Sequence, residues 1–221
     1  MATSTAENYL KAIHGLSQGA AGGRVSTGDL ADRLGVTPGT ATTMMKHLAE
    51  QGLVGYRPRA GVKLSRAGQA VALDVLRRHR LVELFLVEVM NLDWADVHAE
   101  AEALEHVVSE RMLERMDEML GRPTHDPHGD PIPTSEGEMP VRSMTALAEV
   151  SEGRYRLERI VGDDPAFLTW LTDRGLLPGV LVTVRGRDGF AGTLTVGVEG
   201  GDALSLGLTA AARLMVGDEV L

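Results

Sequence analysis

Four side chains able to bind a divalent metal recur at short intervals in the middle of this 221-residue chain: His98, Glu102, Glu105 and His106. On one helical stretch, at about 100° per residue, they fall within an arc of about 100°. Two imidazoles and two carboxylates on one face suit a divalent first-row ion. His79 and Glu83 repeat the one-turn spacing a helix earlier, so six ligand-type residues on two neighbouring helices can line one inter-helix space. The chain has no cysteine. That excludes disulfides, thiolate catalysis, zinc ribbons and iron–sulfur clusters, and leaves only nitrogen and oxygen donors. Such a carboxylate-rich set suits Mn(II) or Fe(II) better than copper or structural zinc. A lone histidine is more often a surface or core residue, and His14, His47, His125 and His128 are read so.

A second cluster carries a different chemistry. The net charge is −9, which by itself argues against a nucleic-acid partner. Residues 1–72, however, hold eight Lys/Arg against four acids, a net of +4, which leaves −13 for the remainder. A basic N-terminal unit on an acidic body predicts that only the first unit meets a polyanion. Thr37 is an N-cap with Pro38 at the first helical position. The helix that starts there presents Thr37, Pro38, Gly39, Thr40, Thr42, Thr43 and then Lys46. As the second helix of a helix-turn-helix, its N-terminal end would lie in the major groove of double-stranded DNA. Threonines bond phosphates or base edges and touch thymine methyls. Lys46, Arg57, Arg59 and Lys63 are placed for phosphates, and shape readout has a share because no Arg or Asn stands as an obvious base reader.

The elements that must position these residues follow from local signals. Ser4-Thr5-Ala6-Glu7 is a capping-box pattern that opens a helix to about Leu16. Ser26 opens a second helix, closed by Gly35, and the Thr37 helix runs to Gly52. Leu53–Arg57 and Val62–Ser65 are short strands around a Pro58/Gly61 turn, which makes a wing. Helices follow from Ser65, from near Asp93 or Asp96, and over about Ser109–Leu120. Their apolar surface predicts burial against a second copy of the chain. Five of the nine prolines lie in 123–140, which predicts an extended linker. The last third alternates Val/Leu/Thr runs (Val180–Arg185, Gly192–Val198, Leu204–Leu208, Val216–Leu221) with Gly turns and one helix from Asp164-Pro165 to Gly175. That pattern predicts a small β-barrel of about five strands. The expected fold class is mainly α with a small all-β domain. The expected domains are a winged helix-turn-helix over 1–72, a helical dimerisation and metal-binding domain with a Pro-rich tether over 73–140, and an SH3-like barrel over 141–221.

The chain resembles the diphtheria-toxin-repressor (DtxR/MntR) family of metal-dependent transcriptional regulators over essentially its whole length. The motifs that carry the resemblance are Thr5-Ala6-Glu7-Asn8-Tyr9-Leu10, Arg78-His79-Arg80-Leu81-Val82-Glu83, Val97-His98-Ala99-Glu100-Ala101-Glu102, Glu105-His106-Val107-Val108-Ser109 and Gly129-Asp130-Pro131-Ile132-Pro133. The resemblance implies an SH3-like, FeoA-like C-terminal domain and two metal ions per subunit. It implies a regulatory site of Glu102, Glu105 and His106, completed by Asn8, and an ancillary site of His79, Glu83 and His98, reached by Glu158 from the barrel. Glu105 is expected between the two sets, where it could bridge both ions. Iron-responsive members carry a Met at the position of Asn8 and a Cys at that of Glu102; manganese-responsive members carry acids there. Val161 stands where iron-type members place a second barrel ligand, a Gln.

The expectation is therefore a Mn(II)-dependent, homodimeric repressor of metal-uptake genes on a palindromic operator, with Fe(II) as the alternative ion. It is expected to be cytoplasmic, with no membrane or small-molecule substrate and no enzymatic activity. Two other readings compete: a metallohydrolase whose His/Glu set activates water, and a metal-independent winged-helix regulator whose His/Glu face is merely solvated. The first lacks a further acid–base or oxyanion motif and leaves the helix-turn-helix unexplained.

Overall fold

The computed structural model describes residues 3–140 and 142–220. It divides into two compact units, Met1–His79 with Pro133–Met139, and Arg80–Ile132 with Pro140–Leu221.

In the first unit, α1 (Ser4–Ser17) starts one residue earlier than the capping-box pattern indicates, because the Thr3 side chain accepts from the Ala6 N–H. The α2 helix (Thr27–Leu34) is capped by Ser26 and ends at Gly35, whose φ of 63° is the left-handed conformation that glycine adopts without penalty. The α3 helix (Pro38–Glu50) is capped by Thr37. Strands β1 (Val54–Arg57) and β2 (Gly61–Leu64) pair antiparallel as the wing. Val25 bridges to Val62 with two backbone hydrogen bonds of 2.9 Å, which ties the wing to the start of α2. Leu10, Ile13, Leu30, Met45 and Leu48 are fully buried in the core of this winged helix-turn-helix. Each contributes about 1.5–3 kcal/mol by leaving water.

The α4 helix (Arg66–Glu88) runs through the division between the units. The second unit continues with α5 (Val97–Leu104) and α6 (Glu110–Met119). Leu81, Val82, Leu86, Val97, Ala101, Val108, Leu113 and Ile132 form their shared core. The four ligand-type residues expected on one helical face are not all helical. Glu105 is the C-cap of α5, and His106 lies in the turn beyond it. Ser109 has to cap α6 through the Met112 N–H, and the chain leaves α5 to reach that position.

Residues 123–140 hold no helix or strand, as the prolines require, but they are not a loose tether. Asp126, His128 and Ile132 are buried. The Asp126 carboxylate accepts from the N–H groups of His128 and Asp130, both at 2.9 Å. Gly129 has a φ of 84°, and a Cβ there would stand 2.0 Å from the Glu158 carbonyl oxygen.

The C-terminal part is an antiparallel sheet of six strands in the order β3-β8-β4-β5-β6-β7, one more than expected. These are β3 (Thr145–Ala146), β4 (Gly153–Ile160), β5 (Leu181–Asp188), β6 (Thr193–Val198), β7 (Ala203–Gly207) and β8 (Leu214–Glu219). The α7 helix (Pro165–Thr172) begins at the Asp164 cap, and α8 (Leu208–Ala211) fills the β7–β8 connection. This SH3-like sheet curls around Leu157, Ile160, Leu168, Leu171, Val182, Leu194 and Val216. Ala95, from the α4–α5 connection, is part of the same core, and the Trp94 indole donates to Thr172 Oγ1 at 2.7 Å. Within the second unit, the helices that carry the His/Glu residues are thereby fixed to the barrel. No helix among the described residues is long and apolar enough to cross a membrane.

Candidate metal centre and nucleic-acid face

The His/Glu residues gather because three backbone elements converge on them. Glu83 projects from α4, His98 and Glu102 from α5, and Glu105 and His106 from the turn after it. Because α4 is unbroken, it carries His79 one turn before Glu83. Ligand-type atoms of Glu83 and His98 lie within 4.8 Å of each other, and so do those of Glu102 and Glu105.

His98 is held by carboxylates at both ring nitrogens. Nδ1 is 3.2 Å from Glu83 Oε1, while Nε2 is 3.7 Å from Glu102 Oε1 and 3.2 Å from Asp163 Oδ2. His106 Nε2 is 3.3 Å from Glu105 Oε1. Glu83 and Glu105 are only 3% and 0% exposed. Ionised carboxylates so far from water need positive charge close by. A divalent cation would supply it, and the donor set of imidazole nitrogens and carboxylate oxygens fits one of the harder first-row ions.

Glu158, on β4, receives Arg142 Nη1 at 2.6 Å and belongs to none of the three ligand groups. Asp163, in the β4–α7 connection, is the barrel acid beside His98. Sequence reasoning also missed Asp126 and His128, which form a third group with Glu83. The signal for them was the turn pattern Asp126-Pro127-His128-Gly129-Asp130, in which an Asx turn and a glycine fix a histidine between two acids. Asn8 lies on α1, in the first unit.

The candidate nucleic-acid face is exposed. Thr37, Pro38, Gly39, Thr40, Thr43 and Lys46 on α3, with Arg57 and Arg59 on the wing, are open to solvent; Thr42 is half-buried. Arg59 has a φ of 64° at the wing tip, which turns the chain there. Two threonines have their donors committed. Thr42 Oγ1 donates to the Pro38 carbonyl at 2.8 Å and Thr43 Oγ1 to the Gly39 carbonyl at 3.1 Å. Toward a partner they offer acceptor lone pairs and methyl groups.

Family models match three stretches of the chain: the N-terminal DNA-binding domain of iron-dependent repressors over residues 1–62, their metal-binding and dimerisation domain over 65–134, and the FeoA domain over 145–217. The iron-dependent repressor IdeR of Mycobacterium leprae is 34% identical over 194 residues, 82% of this chain and 84% of its own length. The chain belongs to the diphtheria-toxin-repressor family. Its members among the relatives are named as transcriptional repressors, not enzymes, and this chain is a metal-dependent DNA-binding repressor of that family. Two solved structures share the fold over nearly the whole length. A manganese-dependent transcriptional repressor in complex with manganese has a TM-score of 0.86 at 38% identity, covering 96% of this chain and 99% of that one. The manganese regulator SloR has a TM-score of 0.75 at 32% identity, covering 97% and 98%. The IdeR relatives are named for iron and these two neighbours for manganese.

Proposed function

We propose that this family member is a Mn(II)-dependent repressor that controls metal-uptake genes and binds a palindromic operator as a homodimer. The observation that carries the metal choice is Glu102. It puts a hard carboxylate oxygen beside the buried Glu105, in a chain with no cysteine to soften the set. Hard oxygen donors favour Mn(II) over softer competitors in a cell where availability, not raw affinity, decides occupancy. The regulatory residues are Glu102, Glu105 and His106, with Asn8. The ancillary residues are His79, Glu83 and His98, with Glu158 from the resemblance and Asp163 from the geometry.

The bound ion supplies charge compensation for acids that burial would otherwise destabilise. The chain's own residues do the rest. Glu83 orients the His98 ring through Nδ1, and Asp163 holds its other nitrogen. Glu105 holds His106. Asn8 belongs to the DNA-binding unit, and a ligand set that includes it couples that unit to the acids on α5. Coupling of this kind raises operator affinity by narrowing the conformational population. Exposed Val107, Met112 and Met119, around and on α6, supply apolar surface for a two-fold partner. The two α3 helices of a dimer would then read successive half-sites.

The test is an anaerobic titration of Mn(II) and of Fe(II) into the full chain with labelled promoter DNA, followed by fluorescence anisotropy. Mn(II) is expected to activate at the lower free concentration. The reverse order replaces manganese by iron, the reading that the names of the curated relatives favour. Binding indifferent to either ion defeats the metal-dependent reading.

A further inference from the structure

In the sequence His47 passes for an ordinary surface residue, but on the fold it stands in line with the exposed threonines of α3. On a helix it lies within about 20° of Thr40 and about 40° of Thr43. It falls inside the arc bounded by Thr40 and Lys46, about 10 Å along the axis from Thr40. Thr40, Thr43, Lys46 and His47 are all exposed. Met45 and Leu48, on the other side of α3, are fully buried and fix which side faces a partner. The major groove is about 12 Å wide. A helix whose first turn enters it brings a side chain two turns further on to the groove wall, where the phosphates stand.

The surroundings of His47 suit a ring that changes its charge in place. Its one polar partner among the described residues is Gln51, the C-cap of α3, whose amide nitrogen lies 3.0 Å from His47 Nε2. A primary amide carries both donors and an acceptor. Its nitrogen donates to a neutral ring; turned over, its oxygen accepts from a protonated one. Gln51 therefore steadies the ring in either state and leaves Nδ1 for a partner outside the chain. No acid claims the imidazole. Glu50, the only acid on α3, forms no ion pair with it among the described residues, and neither does Asp29 or Asp32 of α2. The cations of α3 and of the elements packed against it, α2 and β1, are Lys46, Arg33 and Arg57.

Histidine is the side chain whose ordinary titration falls between about pH 5 and 8. A phosphate oxygen within hydrogen-bond reach stabilises the imidazolium and not the neutral ring. We propose that His47 is a further DNA contact of α3, which binds a backbone phosphate through Nδ1 in its protonated form. Operator binding then takes up a proton at this position in each subunit, and affinity rises as pH falls through the histidine range. The sign follows from linkage: the DNA-bound state holds the proton more tightly than the unbound state, so protons and DNA favour each other. Above that range the ring is neutral, and the contact shrinks to an ordinary hydrogen bond, about half as strong. The inference rests on α3 as the DNA-reading helix.

The test is fluorescence anisotropy of the full chain with saturating Mn(II) and labelled promoter DNA, at about pH 8 and about pH 6. The wild type, His47→Gln and Lys46→Ala are compared. His47→Gln keeps a neutral hydrogen-bonding side chain and removes the titration. The ring is exposed, so this variant is expected to melt with the wild type. Histidines at the metal centre also titrate in the same interval. The readout is therefore the ratio of wild-type to His47→Gln affinity at each pH, in which their contribution cancels. The expected ratio is about 1–2 at the higher pH and about tenfold at the lower, the equivalent of one pKa unit between bound and unbound states. At the lower pH the wild-type salt slope is expected to exceed that of His47→Gln by about 1 per subunit. A ratio that is the same at both pH values overturns the proposal, whatever its size, because the charged contact is then absent. A loss of affinity in Lys46→Ala with a flat His47→Gln ratio removes His47 alone. If Lys46→Ala and His47→Gln both bind as the wild type does at both pH values, α3 is not the DNA-reading helix and the wider reading fails with the proposal.

Discussion

The DNA-reading face and the metal centre are built on opposite plans. The face is local: Thr37, Thr40, Thr42, Thr43 and Lys46 come from one helix and its cap, are almost all exposed, and bond their own turn. The centre is assembled from afar: α4, α5, the turn after it, the Pro-rich segment and the β4–α7 connection each bring one or two residues. The face buries no charge. The centre places Glu105 and Glu83 at 0% and 3% exposure, where every polar group needs a partner. A single change in the face should therefore act alone, and a single change in the centre should propagate.

The sharpest way to break that contrast is Gly129→Ala. The new Cβ would overlap the Glu158 carbonyl at a φ of 84°, so a loss of about 3 kcal/mol is expected in urea unfolding. Weakened Mn(II) uptake should accompany it. A loss below about 0.5 kcal/mol would show that the Pro-rich segment does not help to build the centre. Next in size is Glu105→Ala. Loss of the fully buried acid should remove metal-stimulated DNA binding, a factor of about 5–150 in the affinity ratio with and without Mn(II). Unchanged metal dependence would remove Glu105 from the regulatory set.

Asp163→Asn and Glu158→Gln form a matched pair that decides which barrel acid serves the His98 set. The first should weaken ancillary Mn(II) binding by roughly tenfold, in the range for groups that orient metal ligands; the second should change it by much less. On the face, Lys46→Ala should weaken binding to every DNA sequence equally and reduce the salt slope by about 1. A change in sequence preference instead would make Lys46 a base reader. Smallest is Thr37→Ala, which removes the cap on α3 and should cost about 1 kcal/mol, with metal affinity unchanged.

The same contrast between local and assembled regions explains which elements are legible in the amino-acid sequence. The α2 and α3 boundaries follow from Ser26, Gly35, Thr37 and Pro38, which act on the residues next to them. Strand β4 alternates polar and apolar residues over Arg154-Tyr155-Arg156-Leu157, as a half-solvated strand does, but Glu158-Arg159 breaks the alternation where its pairing with β8 shifts register. The turn at Glu105 and His106 is hidden because helical spacing continues smoothly across it, although Ser109 caps a new helix.

By itself, the sequence determined the winged helix-turn-helix and the absence of thiolate chemistry. Both rest on residue type or on contacts within one or two turns. Only the tertiary structure decided that Asp163 stands beside His98 and that His128 and Asp126 close on Glu83. Those pairings join residues from different elements, far apart along the chain, and the packing of Trp94, Ala95 and Ile132 sets them. No local propensity encodes which of several acids such packing brings to a given imidazole.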